Sequence, residues 1–190
     1  MKRIAIVGKI GVGKTWLLNK LKELNYLTIN LDEYINNLYS NDSVLINLFK
    51  NKLDNFLIVE NKINKNKIKE WILLDNRNFN KIENILYPYL LEKLKKEKYH
   101  FVEIPILNTE VVDFSILFDE IWNLTICPNF RKEYIKTLSL NNQIITILDK
   151  KNSYNWKKDV NFKNLPIVNI SRRNRDNIKK INKILEKYNK

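Results

Sequence analysis

Glycine is scarce in this chain of 190 residues, which contains only Gly8, Gly11 and Gly13. Because no glycine follows position 13, the D-x-x-G segment of a GTPase switch is absent. The string Asn51-Lys52-Leu53-Asp54 has the form of a guanine-recognition motif. It follows a helical pattern rather than a strand, however, and it comes too early in the chain. The sequence therefore argues against a GTPase switch.

Cysteine and histidine are equally rare, and Cys127 and His100 are the single residues of each kind. One cysteine cannot form an intramolecular disulfide, which is typical of a reducing compartment. No apolar run approaches the ~20 residues that a membrane span needs. The chain passes from Met1-Lys2-Arg3 directly into an apolar segment, so we expect no cleavable signal. These absences predict a cytoplasmic protein without a membrane partner.

The positive charge of the chain is large but diffuse. The formal net charge is +13, yet lysine is spread along the whole chain among asparagine and isoleucine. The densest basic cluster is Arg172-Arg173-Asn174-Arg175, which either adds charge to an anion site or forms the solvated start of a helix. This distribution favours compositional bias and small anionic ligands over a nucleic-acid interface.

All three glycines lie in the segment Gly8-Lys9-Ile10-Gly11-Val12-Gly13-Lys14-Thr15, which matches the phosphate-binding pattern G-x-x-x-x-G-K-[ST]. The apolar run Ile4–Val7 precedes the segment and the helical pattern Trp16–Leu21 follows it. Glycine permits positive φ and lets phosphate oxygens approach the backbone. The amides of residues 9–15 are then expected to form an anion-binding nest at a helix N-terminus.

The motif predicts ATP and Mg²⁺ as cofactors. Lys14 is expected to reach the β- and γ-phosphates, and the hydroxyl of Thr15 is expected to bind magnesium. A strand-turn-helix without nucleotide is the disfavoured alternative. The predicted nucleotide-binding residues in this segment are Gly8, Gly11, Val12, Gly13, Lys14, Thr15 and Trp16.

Strand-like and helix-like segments alternate along the rest of the chain, which predicts an α/β fold with a doubly wound parallel five-stranded sheet flanked by helices. After Ile4–Val7, strands are predicted at Tyr26–Asn30, His100–Ile104, Glu120–Ile126 and Ile167–Ile170. Helices are predicted at Leu31–Tyr39, Val44–Lys50, Ile68–Leu74, Phe79–Lys96, Arg131–Leu140 and Asn174–Tyr188. Pro88 is expected to kink or restart the long helix that contains it.

Two carboxylates lie where the strands of such a sheet bind ligands. Asp32 comes two residues after the second strand, and it either deprotonates an attacking hydroxyl or N-caps the next helix. Glu103 lies within the apolar stretch Phe101–Pro105, where a carboxylate is costly unless it is used. We expect Glu103 to hold magnesium through water, and the alternative is a strand-edge residue that faces solvent.

Taken in order, these segments resemble the dephospho-coenzyme A kinase family. The family's glycine-rich loop is similar to Gly8–Thr15, and its D-A-D segment is similar to Asn30-Leu31-Asp32, so Asp32 carries over and the first Asp does not. Its L-E-x-I-x-H-P segment resembles Ile82–Pro88, with Tyr87 in place of His. Its D-I-P-L-L-F-E segment resembles Glu103–Leu107, with Glu110 one residue later than the family's Glu.

Two further segments are similar to the family, and one departs from it. Ile63–Ile68 resembles a short stretch with an Arg, which is Lys65 in this chain, and Ile167–Asn169 resembles a late strand whose Asn contributes to the adenine pocket. After Cys127-Pro128 the family has a lid helix with paired arginines, whereas this chain has only Arg131. The resemblance covers about residues 3–130 and, more loosely, 167–188.

The resemblance implies ATP-dependent phosphorylation of the ribose 3′-hydroxyl of dephospho-CoA by a single P-loop kinase domain. It implies a core at about 1–30 and 98–190, a helical acceptor lobe at about 31–97 and a lid at about 129–160. Lys14 and Asp32 are then the catalytic residues. The remaining implied residues are Asn169 and Arg131 for the nucleotide, Thr15 and Glu103 for the metal, and Asp32, Lys65, Arg77, Tyr87 and Pro105 for the acceptor.

Several alternatives remain open at this point. A nucleoside or nucleoside monophosphate kinase shares the fold, the loop and an early acidic residue. A nucleotide-binding protein without kinase activity agrees with the reduced number of lid arginines. A basic nucleic-acid-binding module is the third alternative. A monomer is the favoured oligomeric state.

Overall fold

The computed structural model describes residues 2–75, 77–137, 145, 146, 149, 162 and 165–186. Much of the predicted lid at 129–160 and the ends of the helices predicted to reach Leu140 and Tyr188 lie outside these residues. The chain divides into two compact units. We call Met1–Asn30, Lys98–Leu107 and Phe114–Lys190 the sheet unit, and Leu31–Glu97 with Asn108–Asp113 the helical unit.

The sheet unit is built on five parallel strands, β1 (Ile4–Val7), β2 (Thr28–Asn30), β5 (Phe101–Glu103), β6 (Glu120–Thr125) and β7 (Ile167–Ser171). Their order across the sheet is β2-β5-β1-β6-β7. This arrangement, with helices that connect the strands, confirms the predicted α/β fold. The helices are α1 (Lys14–Glu23), α6 (Pro128–Thr137), α7 (Arg172–Arg175) and α8 (Ile178–Leu185), with a 3₁₀ turn at Phe114–Leu117.

The core of the sheet unit forms on the apolar faces of β1 and its neighbours. All four residues of β1 are buried, as expected for a strand that is covered on both faces. Helix α1 contributes Leu17 and Leu21, and α8 contributes Ile181, to one cluster that surrounds the fully buried Trp122. This packing fixes the start of α1 against the carboxyl ends of the central strands.

Several boundaries in the sheet unit differ from the sequence prediction, and two of them have a clear local cause. The predicted closing helix Asn174–Tyr188 is broken into α7 and α8, because Asn177 has an extended backbone and its side chain accepts a hydrogen bond from the amide of Lys180. Strand β2 begins at Thr28 rather than Tyr26, since the amide of Tyr26 donates to the carbonyl of Leu21 (3.1 Å) in the turn that ends α1.

The helical unit consists of four helices and a two-stranded hairpin. Its elements are α2 (Leu31–Asn41), α3 (Ser43–Lys52), β3 (Ile58–Val59), β4 (Lys62–Ile63), α4 (Lys65–Leu74) and α5 (Arg77–Lys96), with a 3₁₀ turn at Asn55–Leu57. Helix α5 runs through Pro88 without restarting, because buried Leu86 and Leu90 hold the turns on both sides of it. Among the described residues, no helix has the length and apolar character of a membrane span.

The β3–β4 hairpin was not predicted from the sequence, where residues 56–59 form only a short apolar run. Its turn residues Glu60 and Asn61 both have positive φ, at 48° and 57°. Two-residue hairpins of this kind usually carry Asn-Gly or Asp-Gly, whose glycine signals the turn. The Glu-Asn pair gives no such signal.

Asp42 connects three helices of the helical unit. Its Oδ1 accepts the amide of Leu45 (3.0 Å), which caps α3, and the hydroxyl of Tyr89 on α5 (2.7 Å). Its Oδ2 forms an ion pair with Lys93, also on α5, at 2.7 Å. One half-buried carboxylate therefore caps α3 directly after the end of α2 and connects that junction to α5.

We expect Asp42→Ala to lower the free energy of unfolding by about 2–3 kcal/mol, because both a cap and a partly buried ion pair are lost. Asn64→Ala is the matched control, since Asn64 caps α4 through the amides of Asn66 and Lys67. Losing that cap is expected to cost about 1 kcal/mol. Urea unfolding measures both values, and equal losses would show that the contacts of Asp42 with α5 contribute nothing.

The lowered pKa of Asp42 predicts that the free energy of unfolding depends on pH in the acidic range. Burial alone would raise the pKa of Asp42, but hydrogen bonds from Lys93, Tyr89 and the Leu45 amide outweigh it and lower the pKa from 3.8 to about 2. A lowered pKa in the folded state stabilises the protein above the unfolded value, and this contribution is lost as pH falls from about 4 to about 2. The difference in unfolding free energy between the parent and Asp42→Asn should therefore shrink across that range. A difference that stays constant would contradict the assignment.

Candidate functional site

The glycine-rich loop joins the end of β1 to the start of α1 in the sheet unit. Gly8, Gly11 and Gly13 all have positive φ, at 144°, 77° and 86°. A Cβ atom at Gly8 would lie 2.7 Å from the backbone oxygen of Leu124 on β6, so no side chain fits at this position. The loop therefore takes the tight course that an anion-binding nest requires.

The N-terminus of α1 is available to an anion. Within α1, all of which is described, the first turn has no acidic residue, and the preceding Gly13 makes no side-chain cap. The first amides of a helix lack intrahelical acceptors and carry partial positive charge. Lys14 adds its ammonium group, which donates to the carbonyl oxygens of Gly8 (3.0 Å) and Lys9 (3.4 Å) across the loop. These groups fit the phosphates of a nucleotide.

Glu103 ends β5 beside the loop, and its exposed fraction is 9%. Its carboxylate accepts the hydroxyl of Thr15 at Oε1 (3.0 Å) and the side-chain amide of Asn30 at Oε2 (3.1 Å). The parallel register pairs Glu103 with Ile6 of β1 and with Asn30 of β2. The alternative in which Glu103 faces solvent is therefore wrong, because the side chain is buried and bonded within the sheet unit.

The oxygen atoms around Glu103 suit magnesium. Mg²⁺ prefers hard oxygen ligands, keeps several waters, and usually takes one or two protein groups together with substrate phosphates. Thr15 provides a hydroxyl and Glu103 a carboxylate, 3.0 Å from each other at the start of α1. The residues present therefore fit a magnesium ion held beside nucleotide phosphates.

Two arginines donate hydrogen bonds to backbone carbonyls of the loop. Arg131 of α6, predicted as a nucleotide residue, donates from Nε to the carbonyl of Ile10 (2.8 Å) and forms an ion pair with Asp149 (2.6 Å). Arg175 of α7 donates to the carbonyl of Val12. Arg175 belongs to the basic cluster 172–175, for which the sequence left open a role at an anion site or a solvated helix start; no local pattern showed that Arg175 would contact Val12.

A cavity of about 440 Å³ opens beside the loop within the sheet unit. Aromatic and arginine side chains dominate its walls, and such walls suit a planar base with an anionic tail. The lining residues are Gly11, Gly13, Trp16, Ile126, Phe130, Glu133, Tyr134, Thr137, Arg172 and Arg175. Trp16, which the motif placed directly after the loop, thus lies in the wall of this cavity.

Two other predicted residues of the sheet unit lie outside that cavity lining. Asn169 is exposed on β7, where its side-chain oxygen accepts a hydrogen bond from Asn123 of β6 (2.8 Å). Pro105 is half-buried in the segment after β5. Their predicted contacts with the nucleotide and the acceptor stay predictions.

The remaining predicted residues belong to the helical unit. Asp32 is exposed and is the second residue of α2, so the alternative in which it N-caps that helix is wrong. A carboxylate in this first turn is stabilised by the helix dipole. Lys65 and Arg77 are the exposed first residues of α4 and α5, and Arg77 pairs with Asp75 at 2.8 Å.

Tyr87, the residue in place of the family's His, lies among acidic groups of the helical unit. Burial is the largest cause that raises the pKa of its phenol, and the negative charge of Glu83 and Asp32 raises it further. The hydroxyl of Tyr87 forms a hydrogen bond with the carboxylate of Glu83, one turn earlier on α5. The predicted contacts of Tyr87 and Asp32 with an acceptor stay predictions.

Comparison with known proteins identifies the family of the chain. The family model described as dephospho-CoA kinase matches residues 2–137, which include the glycine-rich loop, Asp32 and Glu103. The chain belongs to the dephospho-CoA kinase family. The resemblance drawn from the sequence is thereby confirmed.

Individual members of the dephospho-CoA kinase family agree with this assignment. The enzyme of Rickettsia typhi is 36% identical over 115 residues, which cover 56% of this chain and 57% of that protein. The enzyme of Mycoplasma genitalium is 25% identical over 165 residues, which cover 83% of this chain and 76% of that protein. The chain thus spans little more than half the length of the Rickettsia relative.

Solved structures support the fold. The dephospho-CoA kinase of Campylobacter jejuni matches with a TM-score of 0.59 at 18% identity, over 98% of this chain and 96% of that one. A deoxyadenosine kinase of M. mycoides matches with a TM-score of 0.50 at 16% identity, over 98% of both chains. At these identities the likeness concerns the arrangement of strands and helices.

We expect Glu103→Gln to raise the magnesium concentration needed for half-maximal ATP binding by about tenfold or more, because an amide cannot accept hydrogen bonds at both of its ends. ATP affinity measured in EDTA should change less, since the loop amides and Lys14 are intact. Calorimetric titration at several magnesium concentrations separates the two effects. Equal weakening with and without magnesium would rule out a metal role for Glu103.

Proposed function

We propose that this protein transfers the γ-phosphoryl group of ATP to the ribose 3′-hydroxyl of dephospho-CoA, which yields coenzyme A. The observation that carries the proposal is the family match over residues 2–137, in which the complete glycine-rich loop and Asp32 both occur. Phosphoryl transfer needs mainly positioning and neutralisation of charge. Each residue of the proposed site contributes to positioning or to charge neutralisation.

The sheet unit holds the nucleotide. Amides of the loop and of the first turn of α1 bind the phosphate oxygens, and the ammonium of Lys14 adds positive charge. Thr15 and Glu103 hold magnesium, which supplies charge neutralisation on the phosphates when bound. The aromatic walls of the cavity that contains Trp16 and Phe130 accept the adenine.

Asp32 orients the acceptor hydroxyl and takes its proton as the new bond to phosphorus forms. Asp32 follows Asn30 by two residues, and the side chain of Asn30 donates to Glu103 at the edge of the sheet where the loop lies. A carboxylate within hydrogen-bond reach of the acceptor hydroxyl can act as a general base. Tyr87 donates a hydrogen bond beside it, and Lys65 and Arg77 bind acceptor phosphates.

The first test is an assay of ADP release with ATP, magnesium and dephospho-CoA. Selective turnover of dephospho-CoA supports the proposal. Turnover of nucleosides or nucleoside monophosphates instead would assign the protein to another kinase activity on the same fold. Tight ATP binding without transfer to any acceptor would indicate a nucleotide-binding protein that has lost catalysis.

We expect Asp32→Asn to lower kcat by ~10²–10⁴-fold, the range for loss of a general base, while the KM for ATP stays within about threefold. Glu33→Gln is the matched control, because Glu33 is the adjacent exposed carboxylate in the same turn of α2. That variant should keep its turnover. Equal losses in both variants would indicate a general charge effect rather than a base.

We also propose a cytoplasmic location and a monomeric state. The exposed free Cys127 agrees with a reducing compartment. Light scattering coupled to size-exclusion chromatography measures the oligomeric state, and a mass near 22.9 kDa is expected for the monomer.

A further inference from the structure

Arg175 lies against the glycine-rich loop although it comes from the far end of the chain. Its guanidinium donates to the carbonyl of Val12, and a Cβ atom placed on Gly13 would overlap the guanidinium. The exposed fraction of the Arg175 side chain is 11%. A permanently charged group is therefore held at the last glycine before α1, which is the end of the loop where phosphates are expected.

Trp16 and Asp176 hold this guanidinium in place. Its central carbon lies 5.1 Å from the ring centroid of Trp16, and its nitrogens form an ion pair with Asp176 at 2.7 Å. A second such pair lines the same cavity, where the guanidinium of Arg172 lies 4.3 Å from the ring centroid of Phe130. Two arginine–aromatic pairs thus contribute to the wall of the cavity beside the loop.

We propose that Arg175 is a nucleotide-binding residue that contacts the phosphates of ATP. A neutral carbonyl is a weaker acceptor for a guanidinium than a phosphate oxygen, because charge-assisted hydrogen bonds are about twice as strong. The group therefore gains by exchanging the Val12 carbonyl for a phosphate in the adjoining nest. This inference rests on the nucleotide half of the proposed function and is independent of which acceptor is used.

The position of Arg175 explains how the chain compensates for its single lid arginine. Arg131 is the only arginine that α6 contributes, and Asp149 partly neutralises it. Arg175 contacts the loop from a segment near the C-terminus of the sequence, outside residues 2–137 that match the family. Arg131 and Arg175 contact the loop at Ile10 and Val12, on either side of Gly11.

The test measures equilibrium binding without any acceptor, by calorimetry with ATP and with inorganic tripolyphosphate. We expect Arg175→Ala to weaken both ligands by about 10–100-fold, the range for a lost hydrogen bond between charged groups. Arg175→Lys keeps the charge and should weaken them less. Lys179→Ala removes the same charge from an exposed site on α8 and should leave both affinities unchanged.

Three outcomes would overturn the proposal. ATP affinity of Arg175→Ala within twofold of the parent would exclude a contact with the nucleotide. Weaker ATP binding with unchanged tripolyphosphate binding would assign Arg175 to the base instead of the phosphates. The third outcome concerns Arg175→Ala and Arg175→Lys. If both lower the melting temperature of the ligand-free protein strongly and weaken binding equally, Arg175 only supports the loop.

The binding test and the transfer assay test the role of Arg175 and the proposed function independently. If the parent protein binds ATP but does not phosphorylate dephospho-CoA, the proposed function fails and the role of Arg175 is still measured. If the parent protein phosphorylates dephospho-CoA and Arg175→Ala binds ATP normally, only the role of Arg175 fails. Quenching of Trp16 fluorescence by ATP, with Trp16→Phe as the blank, provides a second readout at the same cavity.

Discussion

The buried carboxylate of Glu103 is the constraint on which the candidate site depends. An ionised carboxylate within a sheet is strongly unfavourable unless donors satisfy its oxygens. Thr15 satisfies one oxygen and Asn30 the other, so the start of α1 and the ends of β2 and β5 are joined at one point. The same two oxygens suit a hard cation. The requirement that makes the carboxylate tolerable in the sheet thus also places oxygen atoms that fit magnesium beside the loop.

The glycine-rich loop is contacted by its own Lys14 and also by arginines from other segments of the chain. Two of its carbonyls, those of Ile10 and Val12, accept hydrogen bonds from Arg131 and Arg175. A carbonyl that is satisfied by an arginine does not compete for the loop's own amides. Before a nucleotide binds, the amides therefore stay available to phosphate oxygens.

Features with a short-range cause could be predicted from the sequence. The glycine-rich loop is a contiguous motif, β1 is a short apolar run, and the alternation of strands and helices specifies a parallel sheet. Glu103 was recognised because a carboxylate is unusual within an apolar strand. Features that depend on distant partners were not predicted: the contacts of Asp42 with α5, the Glu60-Asn61 turn and the contact of Arg175 with Val12 have no local pattern.

The contact of Arg175 shows why a family pattern alone describes this site incompletely. Phosphoryl transfer requires positive charge at the phosphates, but it does not prescribe which segment supplies that charge. Arginines contact the loop both from α6 and from α7, which follows β7. The sequence of the predicted lid at 129–160 contains only Arg131, whereas the second arginine at the loop, Arg175, lies 44 positions later in the chain. The charge around the loop is therefore better judged from its three-dimensional surroundings than from the lid sequence.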